Sequence, residues 1–239
     1  MEDAYKNALE IAEAVPNAVV VHPFEGEDVV AGNSTIVDEI YDQLRDEYEV
    51  HTGPVVISVV VGRGGLLNGI LTSLEHKISQ GMHAPLVVAS QCFGADSFTR
   101  SHQQGSLVTL EAITSKATSM EALTCSGDCL KKTLGYANMH TLAMNDEAAC
   151  SASWRLARDH RLLEIACGAA LALVYFSDCL ASQLFTLAIG PSEDQKQNVI
   201  IVVCAGSKDT LGDIYTYRRR EETKDVVGSA HFEPNGQFV

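Results

Sequence analysis

Short β-branched runs alternate along this chain with longer segments whose apolar residues recur every three or four positions. The clearest run is 55–61, and the segment after it places Leu67, Ile70, Leu71 and Leu74 on one side. A continuous apolar run predicts a strand buried on both faces, whereas a period of 3.6 predicts a helix with one face in the core. Because such strands and helices alternate, we expect an α/β structure with a mostly parallel sheet flanked by helices.

The same pattern predicts where the individual elements lie. Two helices are predicted to begin near Leu67 and at Thr35, which has capping-box spacing with Asp38. Strands are predicted at 19–24, 55–61, 85–93, 139–144 and 198–204, and helices at 1–15, 146–160 and 166–189. The remaining predictions are an acidic loop at 25–33, short helices within 99–135, and a polar, poorly ordered tail at 215–239.

Three loops at the carboxyl ends of predicted strands are candidates for one shared site. They are residues 62–65, 91–97 and 204–207. We expect the strands before them to be parallel neighbours; these strands are 55–61, 85–92 and 199–204. Ligands of open parallel sheets bind beyond the carboxyl ends of the strands, so the sequence predicts a crevice at this edge.

The glycine-rich loop of Gly62, Arg63, Gly64, Gly65 and Leu66 is the strongest functional signal. Glycines let a backbone approach an anion closely, and the helix predicted to follow offers unbonded N–H groups with a partial positive charge. These properties favour a phosphate cradle. A plain strand-to-helix turn that uses glycine for packing is the alternative, because the loop matches neither the dinucleotide nor the P-loop pattern.

Charge and hydropathy exclude two classes of partner. The 239-residue chain has a formal net charge of −14, and its one dense basic run, 218–220, is followed at once by Glu221 and Glu222. We therefore expect no nucleic-acid binding. The longest apolar run, 165–176, is too short to span a bilayer, so no membrane partner is expected.

Seven cysteines are present, an odd number, and several lie within apolar segments. The polar N-terminus does not have the pattern of a targeting sequence. Both observations favour a reducing compartment, and we expect a cytoplasmic location. Cys125 and Cys129 lack zinc-site spacing and a nearby histidine cluster, so a zinc site is not predicted.

Several short motifs, taken together and in order, resemble the pyridoxal-phosphate-dependent L-serine/L-threonine dehydratases (ammonia-lyases) of the tryptophan-synthase-β-like fold. The resemblance covers roughly residues 5–212 and is nearest to the catabolic L-serine dehydratase branch, because that branch has a cysteine where Cys204 stands. The motifs are 22–24 with Gly32 and 35–36, then 62–69, 93–98, 113–115, 159–161, 166–172 and 204–207.

The resemblance implies a set of site residues. The cofactor-binding residues would be Gly62, Arg63, Gly64, Gly65, Leu66 and Cys204, with the loop on the phosphate of pyridoxal 5'-phosphate and the cysteine beside the pyridine nitrogen. A monovalent cation such as K⁺ would lie near Gln91, with the carbonyl groups of Ala95, Met120 and Ala122 as ligands. The implied reaction removes the α-proton and the β-hydroxyl of serine or threonine, and releases a keto acid and ammonia.

The departures from the family pattern concern the reaction itself. The family's Schiff-base lysine and its substrate-carboxylate loop have no match, so residues 1–214 correspond to an incomplete large domain with the small domain largely missing. We therefore expect no catalytic residue and no activity from this chain alone. Four substitutions also depart from the pattern: Arg63 for glycine, Gln91 for glutamate, Ile165 for proline and Ala205 for glycine.

Three functional hypotheses remain open at this point. The first is a homologue of the dehydratases that binds the cofactor and an amino-acid substrate. The second is a non-catalytic chain that forms a homodimer or acts as a partner of a full-length paralogue. The third is a nucleotide-binding module, which the absence of a G-x-G-x-x-G motif with a ribose-binding acidic residue disfavours.

Overall fold

The computed structural model describes residues 2–160, 164–175, 198–205, 208–210 and 212–214. Its centre is a sheet of four parallel strands in the order β3-β2-β1-β4. The strands are β1 (Val56–Val60), β2 (Leu86–Cys92), β3 (Met139–Met144) and β4 (Val199–Ile201). The predicted parallel α/β sheet is confirmed, and the three strands expected to be neighbours lie side by side.

Seven α-helices flank the sheet in the part of the chain that the structure describes. They are α1 (Glu2–Ala14), α2 (Glu27–Tyr48), α3 (Gly65–Ser79), α4 (Ser97–Gln104), α5 (Gly127–Gly135), α6 (Asp146–His160) and α7 (Ile165–Tyr175). A short 3₁₀ turn, Thr118–Met120, precedes α5. No helix within the described residues has both the length and the apolar character needed to cross a membrane.

The sheet separates two apolar cores. One core contains Ile57 and Val59 of β1 with residues of α2, α3 and α5, and the other contains Val56 with residues of α6 and α7. All seven residues of β2 are buried, as expected for a strand covered on both faces. The buried Ser58 hydroxyl donates to the Ala170 carbonyl over 2.9 Å, so its one polar group is satisfied within the second core.

The strand predicted at 19–24 is wrong, since these residues have no strand partner in the described structure. Val19 and Val21 are 83% and 73% exposed. His22 and Phe24 instead stack edge to face, and Phe24 also lies under the Arg63 guanidinium. The β-branched run at 19–21 is therefore misleading here, because an extended segment becomes a strand only where a neighbour accepts its hydrogen bonds.

Helix α2 begins at Glu27, so the acidic loop predicted at 25–33 and the capping box at Thr35 are also wrong. Glu27 and Asp28 occupy the first turn, where carboxylates are favoured by the helix dipole. Gly26 precedes them with φ 111°, which suits a glycine. Thr35 lies inside the helix, and its hydroxyl bonds to the Gly32 carbonyl over 3.1 Å.

Several predicted boundaries differ by a few residues or lie outside the described part. Strand β4 covers Val199–Ile201 instead of 198–204, and Cys204 follows it in irregular structure. The short helices predicted within 99–135 correspond to the end of α4, the 3₁₀ turn and α5. Residues 176–189 of the predicted apolar helix, Gly206, Ser207 and the tail at 215–239 lie outside the described residues.

Helices α6 and α7 pack closely at a glycine. A Cβ atom added to Gly168 would overlap the carbonyl oxygen of Ala149 and lie 2.6 Å from its carbonyl carbon. The two helix backbones therefore meet at a distance that only glycine permits. This contact holds α7, and with it the residues at its N-terminus, against the rest of the fold.

Candidate functional site

A cavity of about 360 Å³ opens at the carboxyl ends of β1 and β4, at the edge where the sequence predicted a crevice, but the predicted loop 91–97 does not line it. Four chain segments line it: the segment before α2, the glycine loop, the 3₁₀ turn, and the start of α7 with the residues after β4. Among its lining residues are Phe24, Gly62, Arg63, Gly64, Gly65, Leu66, Met120, Glu164, Cys167 and Cys204. The structure thus brings all six predicted cofactor-binding residues to one cavity.

The glycine loop packs so closely against its neighbours that two of its positions have no room for a side chain. Gly64 has φ 102°, and a Cβ atom added to it would lie 2.5 Å from the Cys129 sulfur. A Cβ atom on Gly65 would lie 2.8 Å from the carbonyl oxygen of Phe24. The loop therefore packs against α5 on one side and against the chain before α2 on the other, with a glycine at each contact.

The loop leaves a row of N–H groups available for an anion. Its carbonyl groups are engaged, since Arg63 accepts from Ser126 N over 2.9 Å and Gly64 accepts from Asn68 N over 2.8 Å. The N–H groups of residues 62–67 have no hydrogen-bond partner within the described structure. They lie at the N-terminus of α3, where the helix dipole adds a partial positive charge, so the arrangement suits a phosphate.

Arg63 adds a full positive charge beside this loop. Its guanidinium carbon lies 4.7 Å from the centroid of the Phe24 ring. Its Nε atom is buried and has no hydrogen-bond partner in the part of the chain that the structure describes. An unpaired buried donor is unfavourable, so a bound anion that accepts from Arg63 would stabilise this arrangement.

Cys204 lies across the cavity and is paired with a second cysteine. The Cys167 thiol hydrogen-bonds to Cys204, which lowers the pKa of Cys204 to about 7. The same hydrogen bond, together with burial, raises the pKa of Cys167. The Cys167 sulfur also lies 3.3 Å from the carbonyl oxygen of Ala205. Cys204 is therefore the thiol of the pair that ionises first.

Two cavity residues, Cys167 and Glu164, were missed by sequence reasoning. Glu164 is 4% exposed, and its Oε1 atom has no hydrogen-bond partner within the described residues. Its backbone carbonyl accepts from Ser153 and from Gly168 N, which fixes the start of α7. Cys167 lies within the 166–172 motif and Glu164 lies two residues before it, and only this position could have signalled a site, because an apolar helix start otherwise indicates packing.

The four residues expected near a monovalent cation are all buried, namely Gln91, Ala95, Met120 and Ala122. The Gln91 side chain is engaged at both ends: its Nε2 atom donates to Val61 O over 2.9 Å, and its Oε1 atom accepts from Thr99 N over 2.8 Å. No group of three histidine, cysteine or carboxylate side chains with metal-site geometry occurs among the described residues. The cation site stays a prediction.

No lysine lines the cavity in the described part of the chain. The two lysines that flank matched motifs, Lys116 and Lys208, are both exposed. Lys6 lines a separate cavity of about 180 Å³, which shares Phe24 and Arg63 with the larger one. The cavity can therefore hold an anion, but none of its described side chains carries a primary amine.

Alkylation of Cys204 should report its lowered pKa. Because the thiolate is the nucleophile, its reaction with iodoacetamide should reach half its maximal rate near pH 7 instead of about 8.5. Replacing Cys167 with alanine removes the hydrogen-bond donor, so the half-maximal pH should rise and the rate at pH 7 should fall. Peptide mass spectrometry measures the rate at each cysteine, and Cys125→Ser is the control. An unchanged pH profile in Cys167→Ala would contradict the assignment.

Comparison with known proteins identifies the family. A family model described as "Pyridoxal-phosphate dependent enzyme" matches residues 1–186. A truncated L-serine dehydratase of Saccharomyces cerevisiae is 33% identical over 199 residues, which are 81% of this chain and 89% of that protein. The human L-serine dehydratase/L-threonine deaminase is 30% identical over 215 residues, or 90% of this chain and 61% of that protein.

Solved structures agree with the sequence comparison. The L-serine ammonia-lyase of the fungus Rhizomucor miehei matches with a TM-score of 0.70 and 28% identity, over 86% of this chain and 61% of that one. Threonine deaminase isoform 2 of Solanum lycopersicum matches with a TM-score of 0.68 and 20% identity, over 90% and 55% of the two chains, and supports the fold alone.

The matched region spans only part of most of these relatives. An L-serine dehydratase of Saccharomyces cerevisiae, for example, is 33% identical to 81% of this chain, but the match covers 55% of that protein. The family match, the sequence identities and the shared fold are nevertheless consistent with one another. This chain belongs to the fold-type II family of pyridoxal-phosphate-dependent enzymes, among relatives named L-serine dehydratase and threonine deaminase.

Proposed function

We propose that this chain is an L-serine/L-threonine ammonia-lyase homologue whose cavity at the sheet edge binds pyridoxal 5'-phosphate. The observation that carries the proposal is the row of N–H groups at residues 62–67, which lack partners within the described structure and lie at the N-terminus of α3. The names of the relatives supply the reaction class, and the cavity supplies a place for the cofactor.

The residues present fit the cofactor in three respects. The glycine loop would bind the phosphate, and the unpaired Nε atom of Arg63 could donate to it. Cys204 would face the ring from the opposite wall, where a thiol that titrates near pH 7 can donate or accept a hydrogen bond. When bound, pyridoxal phosphate supplies the electron sink for elimination.

A binding experiment tests the cradle. Purified protein should bind pyridoxal 5'-phosphate, should bind pyridoxal much more weakly, and should lose the bound cofactor on addition of inorganic phosphate. Gly65→Ala would push the loop away from Phe24 O and should weaken binding at least about tenfold, because one hydrogen bond to a charged group contributes about 1.5–3 kcal/mol.

Two variants make this result interpretable. Gly32→Ala is the matched control, since a Cβ atom there meets no atom within 4 Å and its affinity should be unchanged. Arg63→Gln leaves the glycines in place and should weaken binding through loss of the guanidinium charge and its hydrogen-bond donors. The proposal would be wrong if the protein bound pyridoxal and pyridoxal 5'-phosphate with equal affinity, or if neither loop variant, when folded, changed the affinity for pyridoxal 5'-phosphate.

A non-catalytic role is the second candidate, and an exposed apolar surface favours it. Helix α1 exposes Leu9 and Ile11, and Val15 just after it is also exposed; Ile11 is 62% exposed. A homodimer, or a complex with a full-length paralogue, would cover such a surface. Sedimentation of the purified chain, alone and mixed with a full-length L-serine dehydratase, tests this candidate. Monomeric sedimentation in both samples would exclude it.

A further inference from the structure

We propose that Cys167 and Cys204 form a dithiol that a hydroperoxide oxidises to a disulfide within the cavity. This inference goes beyond the proposed function and does not require a bound cofactor. It concerns a covalent modification site made of residues from two separate parts of the chain, the start of α7 and the segment after β4.

The geometry brings the two sulfur atoms together. Both cysteines line the same cavity, and they are close enough for the Cys167 thiol to lower the pKa of Cys204. The Cys167 sulfur also lies 3.3 Å from the carbonyl oxygen of Ala205, the residue next to Cys204. Strand β1 holds both segments in place. It pairs with β4, and the hydroxyl of its Ser58 donates to the carbonyl of Ala170 in α7.

The two thiols differ in the way that a peroxide-driven disulfide requires. Cys204 is exposed and ionises near neutral pH, so it is the thiolate that attacks. Cys167 is buried and its pKa is raised, so peroxide does not react there first, and its thiol remains reduced to resolve the product. Glu164 lies in the same cavity, and its negative charge opposes ionisation of both thiols.

The oxidation balances in two steps. The Cys204 thiolate attacks one oxygen of hydrogen peroxide, the O–O bond breaks, and a sulfenic acid forms as hydroxide leaves and takes up a proton to give water. The Cys167 sulfur then attacks the Cys204 sulfur, the S–O bond breaks, and a second water leaves with the Cys167 proton. Two thiols are oxidised by two electrons, and one peroxide is reduced to two waters.

The other described cysteines provide an internal comparison. Cys92, Cys125, Cys129 and Cys150 are all buried. Burial raises the pKa of Cys92, Cys125 and Cys129, so their thiolate fractions at neutral pH are small. A negative charge on Cys125 would raise the pKa of Cys129 further, so this second pair of nearby cysteines does not supply a thiolate at neutral pH. Oxidation should therefore select the Cys167–Cys204 pair.

The experiment treats the purified chain with equimolar hydrogen peroxide at pH 7, without added cofactor. The count of free thiols should fall by two, and non-reducing peptide mass spectrometry should find Cys167 linked to Cys204. Dithiothreitol should restore both thiols. In Cys167→Ser, the disulfide should be absent and dimedone should label Cys204, because the sulfenic acid is formed but not resolved.

The variants separate the proposal from its alternatives. Cys204→Ser should lose both the disulfide and the dimedone label, whereas Cys125→Ser should keep the disulfide at the wild-type rate; circular dichroism establishes that each variant is folded. A linkage between any other pair, or sulfinic acid at Cys204 while Cys167 stays a thiol, would overturn the proposal. Neither result depends on whether the cavity binds pyridoxal phosphate.

Discussion

Replacing Gly168 with alanine should lower the free energy of unfolding by about 3 kcal/mol. The added Cβ atom would overlap the carbonyl oxygen of Ala149, a backbone atom that cannot rotate away. Helices α6 and α7 would have to separate, which would loosen the apolar core that they share with the sheet. Urea unfolding followed by circular dichroism measures the effect as a lower midpoint.

The matched control for this prediction is the same substitution at Gly32. That residue is exposed within α2, and an added Cβ atom there meets nothing within 4 Å. Alanine in a helix interior is favoured over glycine by about 0.5–1 kcal/mol, so Gly32→Ala should be slightly stabilising. If Gly168→Ala proves as stable as Gly32→Ala, the close contact between α6 and α7 is wrong.

The 239-residue chain should form no keto acid from L-serine or L-threonine, even with saturating pyridoxal 5'-phosphate. The family's lysine holds the cofactor and moves the α-proton, and no described residue that lines the cavity is a lysine. A coupled assay for pyruvate tests this prediction, with a full-length L-serine dehydratase as the positive control. The expected rate of pyruvate formation equals that of a sample with buffer, substrate and cofactor but no protein.

Borohydride reduction provides an independent check of the same prediction. It should fix the cofactor to no single lysine, because Lys116 and Lys208 are both exposed and neither lines the cavity. Pyruvate formation together with one specifically modified lysine would refute the prediction, and Lys116→Ala and Lys208→Ala would then identify the amine. Scattered, substoichiometric labelling of surface lysines is consistent with it.

The parallel sheet, and the edge of it at which the cavity lies, could be predicted because the sequence patterns that indicate them are short and clear. The β-branched run at 55–61 and the glycine loop after it fix a buried strand, a turn and the start of α3. Parallel pairing then follows from the alternation of strands and helices, and it brings the loop and Cys204 to one edge. The cavity is a consequence of topology that composition alone does not reveal.

The errors have physical reasons as well. Helix α2 begins earlier than predicted, because acidic residues such as Glu27 and Asp28 are common in loops but also stabilise a first helical turn. The β-branched run at 19–21 favours a strand, but such a run does not show whether a neighbouring strand is available to pair with it. The pairing of Cys167 with Cys204 joins residues far apart in the chain, and no single window of sequence contains both.

The strand order has a consequence for how the cavity is assembled. Strands β1, β2 and β3 are consecutive in the chain and adjacent in the sheet, whereas β4 is the last of the described strands but pairs with β1. Closing the long loop between β1 and β4 costs more chain entropy than adding β2 or β3, so β4 should join the sheet late in folding. The glycine loop can form with β1 and α3 early on. The wall that carries Cys204 joins the loop only after β4 has paired with β1.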